Sequence, residues 1–342
     1  MPFPKDLVTN THNIKFCVIG NGSWATALVK LLLSKLSSIS WYIRNNDTIE
    51  FIKTHKHNPR YLTATSFDTS KLKMSTDLNE VISNSNVVIL ATPSAFLLDT
   101  FKQLNTTDLS DKFIVSAIKG IVPTTNETIS EYFHRFYKVP YDQLGVISGP
   151  CHAEEVAMER LSYLTFSCKR KTLSEVISRY FESDYLHVLA STDIYGVEHA
   201  AVLKNIYAIA AGICHGLGYG DNFTAVLVSN AFEEMKRFLN SSNFSLTRTT
   251  TKSAYLGDLL VTCYSQFSRN RTFGTMIGKG YSVSAIQIEM NMIAEGYYAS
   301  SCIHEINKQH KVNMPIADTI YRILYQNAPC KDEIRKLTEG LV

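Results

Sequence analysis

The chain has 342 residues, of which 45% are hydrophobic and 19% charged, with 34 Lys and Arg set against 31 Asp and Glu. A length of this order corresponds to about two domains, and the composition is that of a globular chain that buries its own core, which excludes disorder. A formal charge of +3 is too mild for a nucleic-acid or anionic-membrane footprint, so any anion must be held by locally placed charge.

In the first half, short apolar runs alternate with helical spacing. Residues 14–19 and 39–43 read as strands, and 23–36 as a helix with Leu28, Leu31, Leu32 and Leu36 along one side. Residues 87–91, 113–117 and 144–147 are continuous apolar runs, the mark of strands buried on both faces. Residues 161–167 and 186–189 look like further strands. Strands separated by helices imply βαβ units and a mostly parallel sheet. From Tyr195 the pattern turns helical: 195–212, 223–239, 252–265, 269–278, 283–290, 297–308 and 316–325. The expected fold is therefore α/β: a Rossmann-like doubly wound sheet over residues 1–190, then an all-α domain over 191–342, with the cleft between them as the default site.

Gly20-Asn21-Gly22-Ser23-Trp24-Ala25 follows the first strand and opens a helix. In that setting it matches the dinucleotide turn: Gly20 permits the tight turn, Gly22 lets a pyrophosphate approach the backbone, and Ala25 is small enough for helix–strand packing. The helix start supplies N–H groups and positive dipole to phosphates. At the end of the second strand, where an NAD-selective site carries an acid, stands Arg44. A guanidinium there favours or tolerates a 2′-phosphate, so the reading leans to NADP or dual use. A surface Arg in a polar loop is the plainer alternative.

Lys119 lies just past the 113–117 strand, and Ser148-Gly149-Pro150-Cys151-His152-Ala153-Glu154 follows the next one. Carboxyl ends of strands are where open α/β sheets bind ligands, although Lys119 alone reads equally well as a solvated loop charge. The helix from Glu198 to Gly212 is apolar nearly all round except for Lys204 and Asn205. Such a helix should be buried, and a buried lysine is costly unless it is paired; desolvation also brings it toward the range useful for proton transfer. The alternative is a lysine that snorkels to solvent. Asp258 is the one acid of another apolar helix, and Ser268-Arg269-Asn270 begins a further one; an Arg and an Asn at a helix start suit a phosphate. Glu295-Gly296 reads as a loop between helices.

The seven cysteines form no CxxC pair and no zinc-spaced cluster, so free thiols in a reducing cytosol and no metal are expected. The first thirteen residues do not read as a signal peptide, and no run of about twenty apolar residues is present to span a membrane. A cytoplasmic protein is the expectation.

Taken together, GNGSWATAL, the AIKG lysine, SGPCHAEE, the GVE…LKN helix, GDLLVTC, SRNRTFG and the AEG at Glu295 give a chain that resembles NAD(P)-dependent glycerol-3-phosphate dehydrogenase of the soluble bacterial type, from about residue 15 to 325. The resemblance implies NADPH or NADH as cofactor, lined by Ser23, Trp24, Arg44, Lys119, Ala153, Arg269, Ile293 and Glu295. It implies Lys119, Gly149, Cys151, Lys204, Asp258, Ser268, Arg269 and Asn270 around glycerol 3-phosphate, with Lys204 as the proton-transfer group and Asp258 orienting it. The implied reaction is reversible reduction of dihydroxyacetone phosphate for phospholipid synthesis, with small-molecule partners, no nucleic acid, no membrane span, and a homodimer left open. Three places in the chain depart from the family pattern: Ala25 for Gly, Cys151 for Ser or Thr, and Ser229-Asn230-Ala231 for Thr-Arg-Gly. Two other readings remain: a two-domain dehydrogenase of the β-hydroxyacid or ketopantoate reductase type, and a cofactor-binding sensor without turnover.

Overall fold

In the computed structural model, residues 14–104, 109–241, 248–290 and 294–342 are described. The chain divides into two compact units, one made of Met1–Ile118 and Ile129–Ile194, the other of Lys119–Thr128 and Tyr195–Val342.

The first unit is built on one sheet. Its strands are β1 (Phe16–Ile19), β2 (Ile39–Tyr42), β3 (Leu72–Ser75), β4 (Val87–Leu90), β5 (Phe113–Ser116), and later in the chain Leu144–Ser148, Ser162–Cys168 and Leu186–Ser191. The last three become β8, β9 and β10, because the second unit contributes β6 (Ile121–Val122) and β7 (Glu127–Thr128). The order across the sheet is β10-β9-β8-β5-β4-β1-β2-β3. All neighbours are parallel except β8 and β9, which pair antiparallel with Gly145 opposite Cys168 and Ser148 opposite Thr165. The order reverses between β1 and β4, the switch point at which such sheets bind ligands. Every residue of β1, β4 and β5 is buried, which is why these strands read as unbroken apolar runs and not as alternating ones. β3, with the sequence Leu-Lys-Met-Ser, has no such run, and sequence reading missed it. The helices of this unit are α1 (Ser23–Leu33), α2 (Asn46–His55), α3 (Leu78–Ser83), α4 (Leu97–Phe101), α5 (Ile129–Phe136), α6 (Ala153–Ala157) and α7 (Lys171–Ser178).

The second unit is helical with one exception. Its helices are α8 (Ile194–Gly216), α9 (Asp221–Ser241), α10 (Asp258–Tyr264), α11 (Arg269–Gly278), α12 (Val283–Glu289), α13 (Glu295–His310), α14 (Pro315–Tyr325) and α15 (Cys330–Gly340). The exception, contributed by residues 119–128, is the antiparallel β6–β7 hairpin; from α8 onward the described residues form only helices, as expected of an all-α domain over 191–342. Residues 200–214 of α8 are buried without a break, as a helix apolar on all sides must be. The expected helix over 252–265 is broken: a π-helical turn, Ser253–Gly257, precedes α10, and such turns occur often at functional positions. Glu295 and Gly296 do not form a loop; they open α13.

Two buried side chains tie this unit together. Glu234 of α9 accepts from the backbone N–H groups of Ile316 and Ala317 at 2.8 and 3.0 Å, closing the start of α14. Arg322 of α14 donates to Glu333 of α15 at 2.6 Å. All seven cysteines are free thiols.

Candidate functional site

In the first unit the turn after β1 is locked from three directions. Gly20 adopts φ +116°, and a Cβ there would lie 2.7 Å from the carbonyl oxygen of Ala91 at the end of β4, so only glycine fits. Trp41 Nε1 donates to the Gly20 carbonyl at 2.6 Å. Asn58, fully buried, donates to the Asn21 carbonyl at 3.1 Å and to Thr26 Oγ1 at 3.0 Å. Its own amide oxygen accepts from the N–H groups of Arg60 and Tyr61. Sequence reading missed Asn58. Its signal is only an Asn before a Pro in a polar stretch, and the groups of the turn to which it donates lie more than thirty residues away in the chain.

Around Gly22 the backbone is bare. No atom lies within 4 Å of where its Cβ would stand, and no side chain caps α1. Trp24 Nε1 is buried with no hydrogen-bond partner among the described residues. Open space beside a glycine, uncapped N–H groups at a helix start and an orphan donor fit a dinucleotide's pyrophosphate and its neighbouring groups. Ser23 is half-buried at the first position of α1. Arg44 is exposed one residue before the Asn45 cap of α2. Gly149 takes φ +134°, with its Cβ position 2.7 Å from the Tyr163 carbonyl oxygen. The Cys151 thiol is buried and donates to the Gly149 carbonyl at 3.1 Å, so the thiol that stands in place of a hydroxyl is turned to the backbone. Ala153 is buried at the start of α6.

The second unit gathers the charged groups. Lys204, 4% exposed, donates to Asp258 Oδ1 at 2.5 Å. Asp258, 1% exposed, meets Lys119 Nζ with its other oxygen at 3.4 Å. One buried carboxylate thus faces two ammonium groups, that of Lys204 buried and that of Lys119 half-buried. Burying such charged groups costs desolvation, and the arrangement holds an ammonium beside a carboxylate as proton transfer requires. Lys119 reaches this position because the segment bearing it belongs to the second unit, where Asn205 Nδ2 donates to its carbonyl at 2.6 Å. The π-helical turn ends at Asp258 itself.

A chain of amides continues from there. Asn270 Nδ2 donates to Asn205 Oδ1 at 2.9 Å, and the Gly296 N–H donates to Asn270 Oδ1 at 2.9 Å. Both ends of the Asn270 amide are therefore engaged inside the protein. Ser268 caps α11, accepting from the Arg271 N–H at 3.3 Å, and Arg269 is half-buried at the first position of that helix. Glu295 is half-buried at the start of α13. Ile293 lies outside the described residues. Asn205 stood next to Lys204 in an otherwise apolar helix; that polar exception was the signal for it. Burial pushes the Cys263 thiol up to about 12 even with the Lys204 charge nearby, so it stays protonated and is no nucleophile. Among the described residues, no three His, Cys, Asp or Glu side chains gather as metal ligands would, and no helix is long and apolar enough to cross a membrane.

Comparison with known proteins finds relatives along most of the chain. Residues 15–174 match the family model of the NAD-dependent glycerol-3-phosphate dehydrogenase N-terminus, and residues 193–335 that of its C-terminus. The chain is 33% identical over 324 residues to a glycerol-3-phosphate dehydrogenase (NAD(P)+) of Staphylococcus haemolyticus, covering 94% of this chain and 97% of that one. It is 33% identical over 326 residues to the enzyme of the same description from Staphylococcus aureus, covering 95% and 98%. Among solved structures, it is similar to a glycerol-3-phosphate dehydrogenase from Coxiella burnetii, with TM-score 0.86, 27% identity, and 95% and 99% of the two chains covered.

Proposed function

The chain belongs to the NAD-dependent glycerol-3-phosphate dehydrogenase family, and from that premise we propose how its own residues divide the work. It is an NAD(P)-dependent oxidoreductase that interconverts dihydroxyacetone phosphate and sn-glycerol 3-phosphate, the glycerol phosphate backbone of phospholipid synthesis. Residues 1–190 hold the cofactor and residues 191–342 carry out proton transfer. NADH or NADPH supplies the hydride when bound. Gly20, Gly22, Ser23 and Trp24 would hold its pyrophosphate side, and Arg44 would meet a 2′-phosphate.

Lys204 gives a proton to the substrate's carbonyl oxygen and takes it back in the reverse direction. Asp258 orients the Lys204 ammonium, which also stabilises the oxygen as it becomes negative. Arg269, with the N–H groups at the start of α11, takes the phosphate. Ser268 and Asn270 act from behind by capping and bracing that helix start. Lys119, Gly149, Cys151, Ala153 and Glu295 complete the proposed contacts to cofactor and substrate. The protein works in the cytoplasm with small-molecule partners, and light scattering tests whether it is a homodimer.

The buried cluster of one carboxylate between two lysines carries this reading. An initial-rate assay with dihydroxyacetone phosphate, run with NADH and with NADPH, tests it. Turnover is expected with at least one cofactor. No turnover with either, or faster turnover of a 2-keto acid such as ketopantoate, would refute it.

A further inference from the structure

α8 and α11 run side by side with their sequences in step. Asn205 meets Asn270 through a hydrogen bond. One turn on, a Cβ at Gly274 would overlap the carbonyl of Ile209, and a turn further a Cβ at Gly278 would overlap that of Ile213. From the other side, Cβ atoms at Gly212 and Gly216 would overlap the carbonyls of Arg271 and Thr275. Partners advance together by one turn at a time, so the helices are parallel, and each carries glycines four residues apart on the shared face. Helix axes ordinarily stay about 8–10 Å apart because side chains fill the seam. Here backbone lies on backbone, with no rotamer available to absorb a shift.

The seam ends at the site. Asn205 follows Lys204 on α8, and Asn270 follows Arg269 at the start of α11. A third helix start is keyed to the same point: the Gly296 N–H donates to Asn270, and a Cβ at Gly296 would lie 2.5 Å from the Asn205 carbonyl oxygen.

We propose that Gly212, Gly216, Gly274 and Gly278 are positioning residues for the phosphate end of the substrate: the bare seam fixes Arg269 and the α11 start at one height relative to Lys204, so that phosphate binding aligns the carbonyl with the proton-transfer group. The proposal rests on the assignment of Lys204 to the proton and Arg269 to the phosphate. A methyl group in the seam forces the helices apart, and a displacement of about 1 Å between reacting groups costs up to about 10²-fold.

The test is Gly274→Ala and Gly278→Ala, with Gly220→Ala as the control, because a Cβ there meets nothing within 4 Å. Rates are measured with dihydroxyacetone phosphate and with unphosphorylated dihydroxyacetone at saturating reduced cofactor. Cofactor affinity is followed by fluorescence and folding by circular dichroism. The seam variants are expected to raise KM for the phosphorylated substrate and to lower its kcat/KM advantage over the unphosphorylated one by about 10-fold or more. Cofactor affinity should hold, and Gly220→Ala should behave as wild type. Gly278→Ala, further from Arg269, keeps the question open to test if Gly274→Ala does not fold. An unchanged ratio, whether rates stay or both fall together, overturns the proposal, as does failure of every seam variant to fold. Absence of wild-type turnover with dihydroxyacetone phosphate would instead refute the functional assignment, and it would show before any variant is made.

Discussion

Replacing Lys204 by Met removes an ammonium from a helix buried on every side while keeping the length and apolarity of the stem. The structure bounds the cost to folding. Asp258 loses the cation at 2.5 Å but keeps Lys119 at 3.4 Å, so the loss should be smaller than the about 3–5 kcal/mol that follows when a buried charge is left with no partner. The folded variant should be obtainable. Catalysis responds differently, because Met at position 204 can neither give nor take the proton assigned to Lys204. A positioned acid–base group is worth roughly 10²–10⁴-fold, which is about 2.7–5.5 kcal/mol of barrier. The assay is steady-state oxidation of reduced cofactor at saturating dihydroxyacetone phosphate, with cofactor affinity measured by nicotinamide fluorescence and folding by circular dichroism. Turnover should fall by the factor given while cofactor affinity holds. Turnover within a few-fold of wild type in a folded variant would refute the reasoning. So would a collapse of cofactor affinity with turnover at saturation preserved, since Lys204 would then be a cofactor ligand.

Three further outcomes are expected. Arg44→Asp should raise the KM for NADPH far more than that for NADH, because a carboxylate repels a 2′-phosphate; equal changes would remove Arg44 from that role. Arg269→Ala should weaken dihydroxyacetone phosphate by about 10- to 150-fold, the worth of a charge-assisted hydrogen bond. The unphosphorylated ketone should lose much less, and equal losses would show that Arg269 does not read phosphate. Glu234→Gln should flatten the pH dependence of stability. Burial raises the Glu234 carboxyl to about 7, against the pull of the Ile316 and Ala317 N–H groups. A raised carboxyl favours the folded state at low pH. Its contribution is complete below the ordinary carboxylate range, about 4.5, and is lost as pH climbs from there through about 7, on the order of 3 kcal/mol. Thermal melts at pH 5 and pH 8 should therefore differ more for wild type than for the variant, and parallel shifts would refute the assignment.

What local sequence could determine, it did. Strands buried on both faces announce themselves as apolar runs, and the glycine turn after β1 has a fixed spacing because a phosphate needs bare backbone there. Lys204 was legible as the one cation in an apolar helix, since burial of an ammonium demands a reason. β3 was not legible, being short and without an apolar run, nor was the departure of Lys119–Thr128 from the first unit. The partnerships were beyond reach as well. Lys204 and Asp258 are 54 residues apart, and Lys119 and Asp258 are 139 apart; no periodicity links such positions, because their proximity is a property of helix packing. The same holds for Asn58, for Glu234 at the start of α14, and for Asn270, whose place at a helix start suggested a phosphate ligand and whose amide also meets Asn205 and Gly296. Glycines four apart in a helix are visible in any sequence. Only the tertiary structure decides that two such pairs face each other in register, because contact between backbones depends on where whole helices lie and not on the residues of either one alone.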